Sequence, residues 1–368
     1  MMRANSRWFL GIITALVVGF LIYYFNTIVL YIILAWILAM MGQPLMKLFK
    51  VHLKLGRFKL GEQLSAVLTL IIFGILSLAM ILIFVPMIVE QANILANIDY
   101  MQLYRSLEEP VNSINNTLIE WGLTTEAAIK PEAFGTFFSK YFNIGQIGVL
   151  LTSLFSMAGN FVVGIFSVVF ITFFFLQDNT MLMDFIIGVS PDKFEKQIHQ
   201  VVSDIKTMLR RYFFGLVMQV ATITLIVSVV LSIMGIENAL LIGFFAGVIN
   251  LIPYVGPIIG AAFGIIITIS SNLDLPFYEE MLPMVIKLSI VFAGMQMIDN
   301  FILQPVIYGN SAKAHPLEIF IVILVAAKLG GITGMVVAIP AYIVIRVIAR
   351  AFLSRFKVVK TLTESMSN

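Results

Sequence analysis

The chain has 368 residues, 60% of them hydrophobic and 12% charged, with a mean hydropathy of +1.01. That balance excludes a soluble globular domain and reads as an all-α polytopic membrane protein. With no cysteine, and with His52, His199 and His315 scattered, there is no basis for a disulfide framework, a metal site or any other cofactor; the net charge of +3 gives no reason to expect a nucleic acid partner.

Trp8 to Tyr24 and Ile28 to Met41 are apolar segments separated by a short step containing Asn26 and Thr27, a tight helical hairpin by pattern. The first segment is too long for a signal core and lacks a small-residue cleavage site, so it is expected to stay in the mature protein. A loop from Gly42 to Gln63 carries Lys47, Lys50, Lys54, Arg57 and Lys59 against Glu62, which places it, and the amino terminus with Arg3 and Arg7, in the cytoplasm. Leu64 to Val89 leads outward, with Pro86 bending its far end. These elements form an N-terminal transmembrane region, 1–89, a candidate oligomer scaffold.

Residues 90–145 carry Glu90, Asp99, Glu108, Glu109, Glu120, Glu126 and Glu132 against Arg105, Lys130 and Lys140, a composition suited to the exterior. Within them Leu107, Val111, Ile114, Leu118 and Trp121 recur at helical spacing, which predicts a small packed helical insert. Gln146 to Leu176 returns to the cytoplasm. Ser190-Pro191 then reads as a helix start, serine capping and proline at the first position. Phe194, Ile198, Val201, Val202, Ile205, Met208, Leu209 and Tyr212 keep one face of that helix apolar, while Lys193, Lys196, Lys206, Arg210 and Arg211 charge it. It is expected to lie at the cytoplasmic surface, where lipids are its neighbours, and to run directly into a span from Phe213 to Gly235.

Two interrupted apolar stretches follow, Asn238 to Ser271 and Pro316 to Leu353, separated by a span from Met284 to Leu303. The first breaks at Asn250-Leu-Ile-Pro-Tyr-Val-Gly-Pro257, the second at Gly330-Gly331. A helix broken at membrane depth frees backbone groups that lipid cannot satisfy, so the break must be buried in protein or line a wet cavity. Each stretch is either a kinked full span or a re-entrant hairpin. The acidic loop with Asp274, Glu279 and Glu280 and the later loop with Lys313 favour hairpins, which form an inverted repeat of the sort that builds secondary transporters. Either way the basic tail, 354–368, remains cytoplasmic.

On the span between the breaks, Gln296, Asp299, Asn300 and Gln304 recur every three or four residues as one polar stripe. A carboxylate inside the membrane is costly unless paired, hydrated or protonated, so Asp299 is a candidate for proton or cation coupling. The bland alternative is a structural ion pair with Lys328. Asn250 and Tyr254 offer an amide and a hydroxyl for a small polar solute, whereas Gly256, Gly260 and Gly264 could reflect helix packing alone. No nucleophile–base pair, phosphate loop or carboxylate dyad supports an enzyme.

Asn250-Leu-Ile-Pro-Tyr-Val-Gly-Pro257, Asp299-Asn-Phe-Ile-Leu-Gln-Pro305, His315-Pro-Leu317 and Lys328-Leu-Gly-Gly-Ile-Thr-Gly334, followed by Ile339-Pro340, resemble the signature of the autoinducer-2 exporter family, the PerM-type permeases. The resemblance implies a protein of the bacterial cytoplasmic membrane, with about eight membrane segments, that assembles as a homo-oligomer, a pentamer among the options. It also implies export of a small polar signal, or sodium–proton antiport. The motif positions it carries over are Asn250, Pro253, Gly256, Pro257, Asp299, Pro305, Gly330, Gly331 and Pro340.

These readings predict two broken or re-entrant elements in a transport core at 213–353, preceded by a membrane helix and amphipathic helix at 146–212. The expected function is secondary transport of a small polar solute, coupled to a proton or sodium ion. A cation–proton antiporter is the near alternative, and a non-transporting scaffold or receptor using the exterior insert is the distant one.

Overall fold

A computed structural model describes residues 19–20, 24–52, 54–55, 58–59, 61–96, 108–122, 158–311 and 315–353. Most of Trp8 to Tyr24, most of the exterior insert and the basic tail 354–368 lie outside these residues; the insert's helix is noted below. The described residues form helices joined by turns, with one two-stranded ladder, Lys54–Leu55 paired antiparallel with Phe58–Lys59. Five described helices are long and apolar enough to cross a bilayer: Asn26–Lys50, Glu62–Gln91, Asp192–Ile233, Phe277–Ile307 and Gly334–Leu353. Val162–Gln177 and Met181–Val189, bent by 89°, make a sixth if they count as one span. The chain is a multi-pass membrane protein. Large apolar side chains such as Leu82, Phe166, Ile233 and Phe301 are exposed, as lipid-facing positions should be.

The chain divides into two compact units. In the first, Met1–Leu76 with Met157–Lys206, helix α1 (Asn26–His52) packs on the Ala158–Gln177 helix. Small residues permit the approach: Ala35 and Ala39 are buried, and a Cβ on Gly164 would lie 3.0 Å from the Tyr31 hydroxyl. Helix α1 corrects the expected loop from Gly42, because it continues through Pro44 to His52. Gly42 faces Leu176 and Thr69, where a Cβ would come within 3.0 Å of each. Helix α2 (Glu62–Ala96) extends the predicted span and contains Pro86 as expected. Lys50 pairs with Glu62 at 2.6 Å, joining the ends of α1 and α2.

Helix α3 (Glu108–Glu120) falls in the predicted insert. The Ala158–Gln177 helix (α4) is followed by α5 (Met181–Val189) across a break at Asp178, whose carboxylate accepts from the Thr180 N–H and hydroxyl, both at 2.9 Å. Those bonds, the backbone one foremost, hold the Asp178 carboxyl below its ordinary range. Ser190 does not cap the next helix. Its hydroxyl instead donates to Ile186 O at 2.6 Å and closes α5, while Pro191, extended at ψ 139, leads into a single 3-10 turn.

Helix α6 (Glu195–Ile233) then fuses the amphipathic segment and the following span into one rod of 39 residues. Ile198, Val201, Val202, Ile205, Leu209 and Tyr212, six of the residues assigned to its apolar face, are buried.

The second unit is Ser77–Ser156 with Thr207–Asn368. Its core combines Ile223, Val227 and Leu231 of α6 with Ile242 and Ala246 of α7 (Ala239–Ile249), Ile267 of α8 (Val255–Ser270), and Leu288 and Met295 of α9 (Leu282–Ile298). Helices α7 and α8 fold back on each other as a hairpin. A Cβ on Gly256 would fall 2.2 Å from Ile249 O, one on Gly260 3.4 Å from the Ala246 Cα, and one on Gly264 3.1 Å from Ile242 Cγ2. At the open end Asn238 Nδ2 donates to Ser271 Oγ at 3.2 Å.

After α10 (Gln304–Ser311), the second broken stretch, α11 (Pro316–Leu353), also reverses. Gly330 and Gly331 leave helical geometry, Gly331 at φ 59, and a Cβ on Gly334 would sit 2.2 Å from Ala326 O. Tyr342 donates to Glu318 Oε2 at 2.6 Å, although a straight helix would hold residues 24 apart at about 36 Å. Both breaks are therefore turns of helical hairpins and not kinks in straight spans.

Candidate functional site

The turn of the first hairpin is tight because Tyr254 adopts φ 68, ψ −44, the positive-φ γ-turn that side chains other than glycine rarely tolerate. The Val255 N–H closes it on Pro253 O at 2.8 Å, and the Gly256 N–H follows on Ile252 O at 2.8 Å. Pro253 and Gly256 are buried. Any side chain at 256 would collide with the α7 backbone, so glycine is required there by space. The exposed Tyr254 ring meets Phe320 edge-on, with ring centroids 5.5 Å apart, which joins this turn to the first limb of the second hairpin.

The turn delivers Asn250, the last residue before the break, to Asp299. Asp299 is 1% exposed, and three primary amides surround it. Gln219 Nε2 of α6 donates to Oδ1 at 2.6 Å. Asn250 Nδ2 donates to Oδ2 at 3.2 Å, and so does Gln304 Nε2 at 2.8 Å. Among the described residues no lysine or arginine pairs with this carboxylate, and the side chains bonded to it are neutral amides. The ion pair with Lys328 is thus absent; Lys328 is exposed.

The polar stripe holds together by a different geometry from the one its spacing implies. Asp299–Leu303 is a single π-helical turn. Five residues along an α-helix sit about 140° apart, but the wider π turn brings Gln304 back over Asp299. Gln296 Nε2 donates to Asn300 Oδ1 at 2.8 Å, and Gln304 Nε2 also reaches Asn300 at 3.2 Å. Asn300 is exposed and stands beside the cage, outside its bonds to Asp299.

A cavity of about 20 Å³ opens beside Asp299, with Asn250 and Gln296 as its other polar walls and Ile223, Pro257, Phe292 and Met295 among its apolar ones. That is room for about one water molecule. Asn250, Pro257, Gln296 and Asp299 therefore converge here, with Gln304 bonded just behind. Tyr254, Lys328, Gly330 and Gly331 do not line the cavity. The second hairpin turn is exposed at Gly330 and Gly331, and a Cβ on either would meet nothing within 4 Å among the described residues.

Gln219 escaped the sequence reading. It is 2% exposed and supplies the shortest bond to Asp299. The available signal was weaker than that of Asp299: a lone amide in a run from Phe213 to Gly235 otherwise made of apolar residues, threonine, serine and glycine.

A family profile described as AI-2E family transporter matches residues 10–354. The chain is 29% identical over 196 residues to Putative transport protein YueF of Bacillus subtilis, covering 53% of this chain and 51% of that protein. It is also 29% identical over 184 residues to Putative transport protein YrrI of the same organism, half of each chain. With Putative transport protein sll0063 of Synechocystis the identity is 23% over 180 residues, 48% of this chain and 42% of that one. The chain thus spans about half the length of the curated relatives it matches.

Proposed function

Since the chain belongs to the AI-2E family of transporters, a transporter family and not an enzyme family, we propose that it moves a small polar solute across the bacterial cytoplasmic membrane by secondary transport. Asp299 is the coupling site, taking up a proton or a sodium ion. The observation that carries this reading is a carboxylate 1% exposed, held by three amides with no lysine or arginine paired to it among the described residues, beside a water-sized cavity at a hairpin turn. A structural carboxylate at such depth is normally paired, because leaving it unpaired is costly. A water-sized cavity admits a proton carrier or a bare ion, so an organic solute enters only when the first hairpin moves away from α6.

The same cavity size favours, as the second reading, a cation–proton antiporter that needs no organic solute. Assembly as a homo-oligomer, with both termini cytoplasmic, accompanies either reading as a proposal. Purified protein in liposomes tests both. A sodium gradient applied with a pH-sensitive dye inside should drive proton movement if antiport operates, and metabolite efflux compared between cells with and without the protein should identify an organic cargo. Asp299→Asn is expected to abolish dependence on the ion gradient. Retained gradient dependence in that variant would remove Asp299 from the mechanism.

A further inference from the structure

Asp299 is held asymmetrically. Two N–H donors, from Asn250 and Gln304, converge on Oδ2, whereas Oδ1 receives only the Gln219 donor. Gln219 is itself half satisfied: its Nε2 is engaged at 2.6 Å while its Oε1 is buried with no hydrogen-bond partner among the described residues. A buried amide oxygen left in that condition is unfavourable. A primary amide is nearly the same shape in both orientations, differing only in which end donates. An ionised carboxylate only accepts, so it selects the orientation with the nitrogen inward, whatever the outer end of the amide meets.

Neutralisation of Asp299 changes that balance. A proton on Oδ2 would face two N–H donors, whereas a proton on Oδ1 faces one. Among the described residues every side chain bonded to Asp299, from α6, from the hairpin and from the helix that follows it, is an uncharged amide, so no other described titratable group competes for the proton at these contacts. We propose that Gln219 reads the charge state of Asp299: its amide gives N–H to the ionised carboxylate and turns over to give Oε1 to the neutral one, whose proton resides on Oδ1. A hydronium ion in the adjoining cavity gives its proton to Oδ1, one O–H bond breaking as the other forms and a water molecule remaining; the Nε2–H···Oδ1 hydrogen bond is replaced by O–H···Oε1. Gln219 is a positioning residue, and through it the charge state of Asp299 is felt by α6. This rests on Asp299 being the coupling residue proposed above.

Asp299→Asn is the permanent neutral form. Its one oxygen should stay with the two donors, Asn250 and Gln304, so that its NH2 faces residue 219. Thermal unfolding of the purified full chain in detergent provides the test, through a cycle of Asp299→Asn and Gln219→Met. If the amide turns over, Gln219 bonds residue 299 in both charge states, and Gln219→Met lowers the melting temperature by about 3 °C in either background. A Gln219→Met that leaves the melting temperature unchanged or higher in the Asp299→Asn background would mean a fixed N–H donor, and would overturn the proposal.

Gln219→Glu keeps the size and offers only acceptors, so it serves where the methionine variant fails to fold. Alone it sets two carboxyls face to face and should lower the melting temperature; combined with Asp299→Asn it should recover the loss. Absence of recovery would show that no donor faces position 219. These melts are independent of the flux measurements. Gradient-dependent flux in Asp299→Asn would end the coupling reading whatever the melts give, while failed melts beside lost coupling would end only the role of Gln219.

Discussion

A single carboxylate in apolar surroundings was legible from sequence, because a charge at membrane depth is conspicuous by its cost. Asn250 was legible for a related reason, standing where an apolar run meets two prolines. Gln219 was not, since one neutral amide in a membrane span carries little penalty on its own. The γ-turn at Tyr254 was also invisible; nothing in Pro-Tyr-Val announces a positive φ. The strain there is of the order of 1–3 kcal/mol. Tyr254→Gly is therefore expected to be about 1 kcal/mol more stable than Tyr254→Ala, since both lose the ring contact with Phe320 and only alanine keeps a Cβ against the strained backbone. Denaturant or thermal unfolding of the pair checks this. Equal stabilities, or the reverse order usual inside helices, would contradict the turn geometry.

At the scale of elements, the sequence marked where the helices break but left their direction open. Hairpins and kinked spans share the same proline and glycine punctuation, and only loop charge separated them. What decides the outcome is close backbone contact, which hydropathy does not encode. On α8, Gly256 lies where a Cβ would be 2.2 Å from Ile249 O, so Gly256→Ala should cost about 2 kcal/mol by forcing the hairpin limbs apart. Gly294 of α9 has no described residue within 4 Å of the same position. There alanine should be neutral or stabilising by about 0.5 kcal/mol. If the two substitutions shift unfolding alike, the glycines of α8 are not packing the hairpin. The π turn after α9 teaches the same lesson, because residue spacing alone set Gln304 on the right face with the wrong account of how it reaches Asp299.

For the molecule as a whole, composition was enough to establish a polytopic helical protein, and the family profile spans nearly the whole chain. Long, strongly apolar helices such as α2 and the second half of α6 were legible because length and hydropathy alone define them. The reversal at Gly330-Gly331 was not, because it depends on residues far apart in sequence meeting. It gives a direct test in a chain that has no native cysteine. Cysteines introduced at Glu318 and Tyr342 should be joined by a short bifunctional thiol reagent, since these side chains touch at 2.6 Å. A kinked straight span would hold them about 36 Å apart and give no cross-link.

The limbs of the first hairpin are 11 and 16 residues long, about 16 and 24 Å, against a hydrocarbon core of about 30 Å. An element of that height is shorter than the hydrocarbon it sits in, so the length of the lipid chains is a variable to which its fit should respond. Reconstitution into bilayers of longer and shorter acyl chains is therefore expected to alter transport through the mismatch imposed on this hairpin.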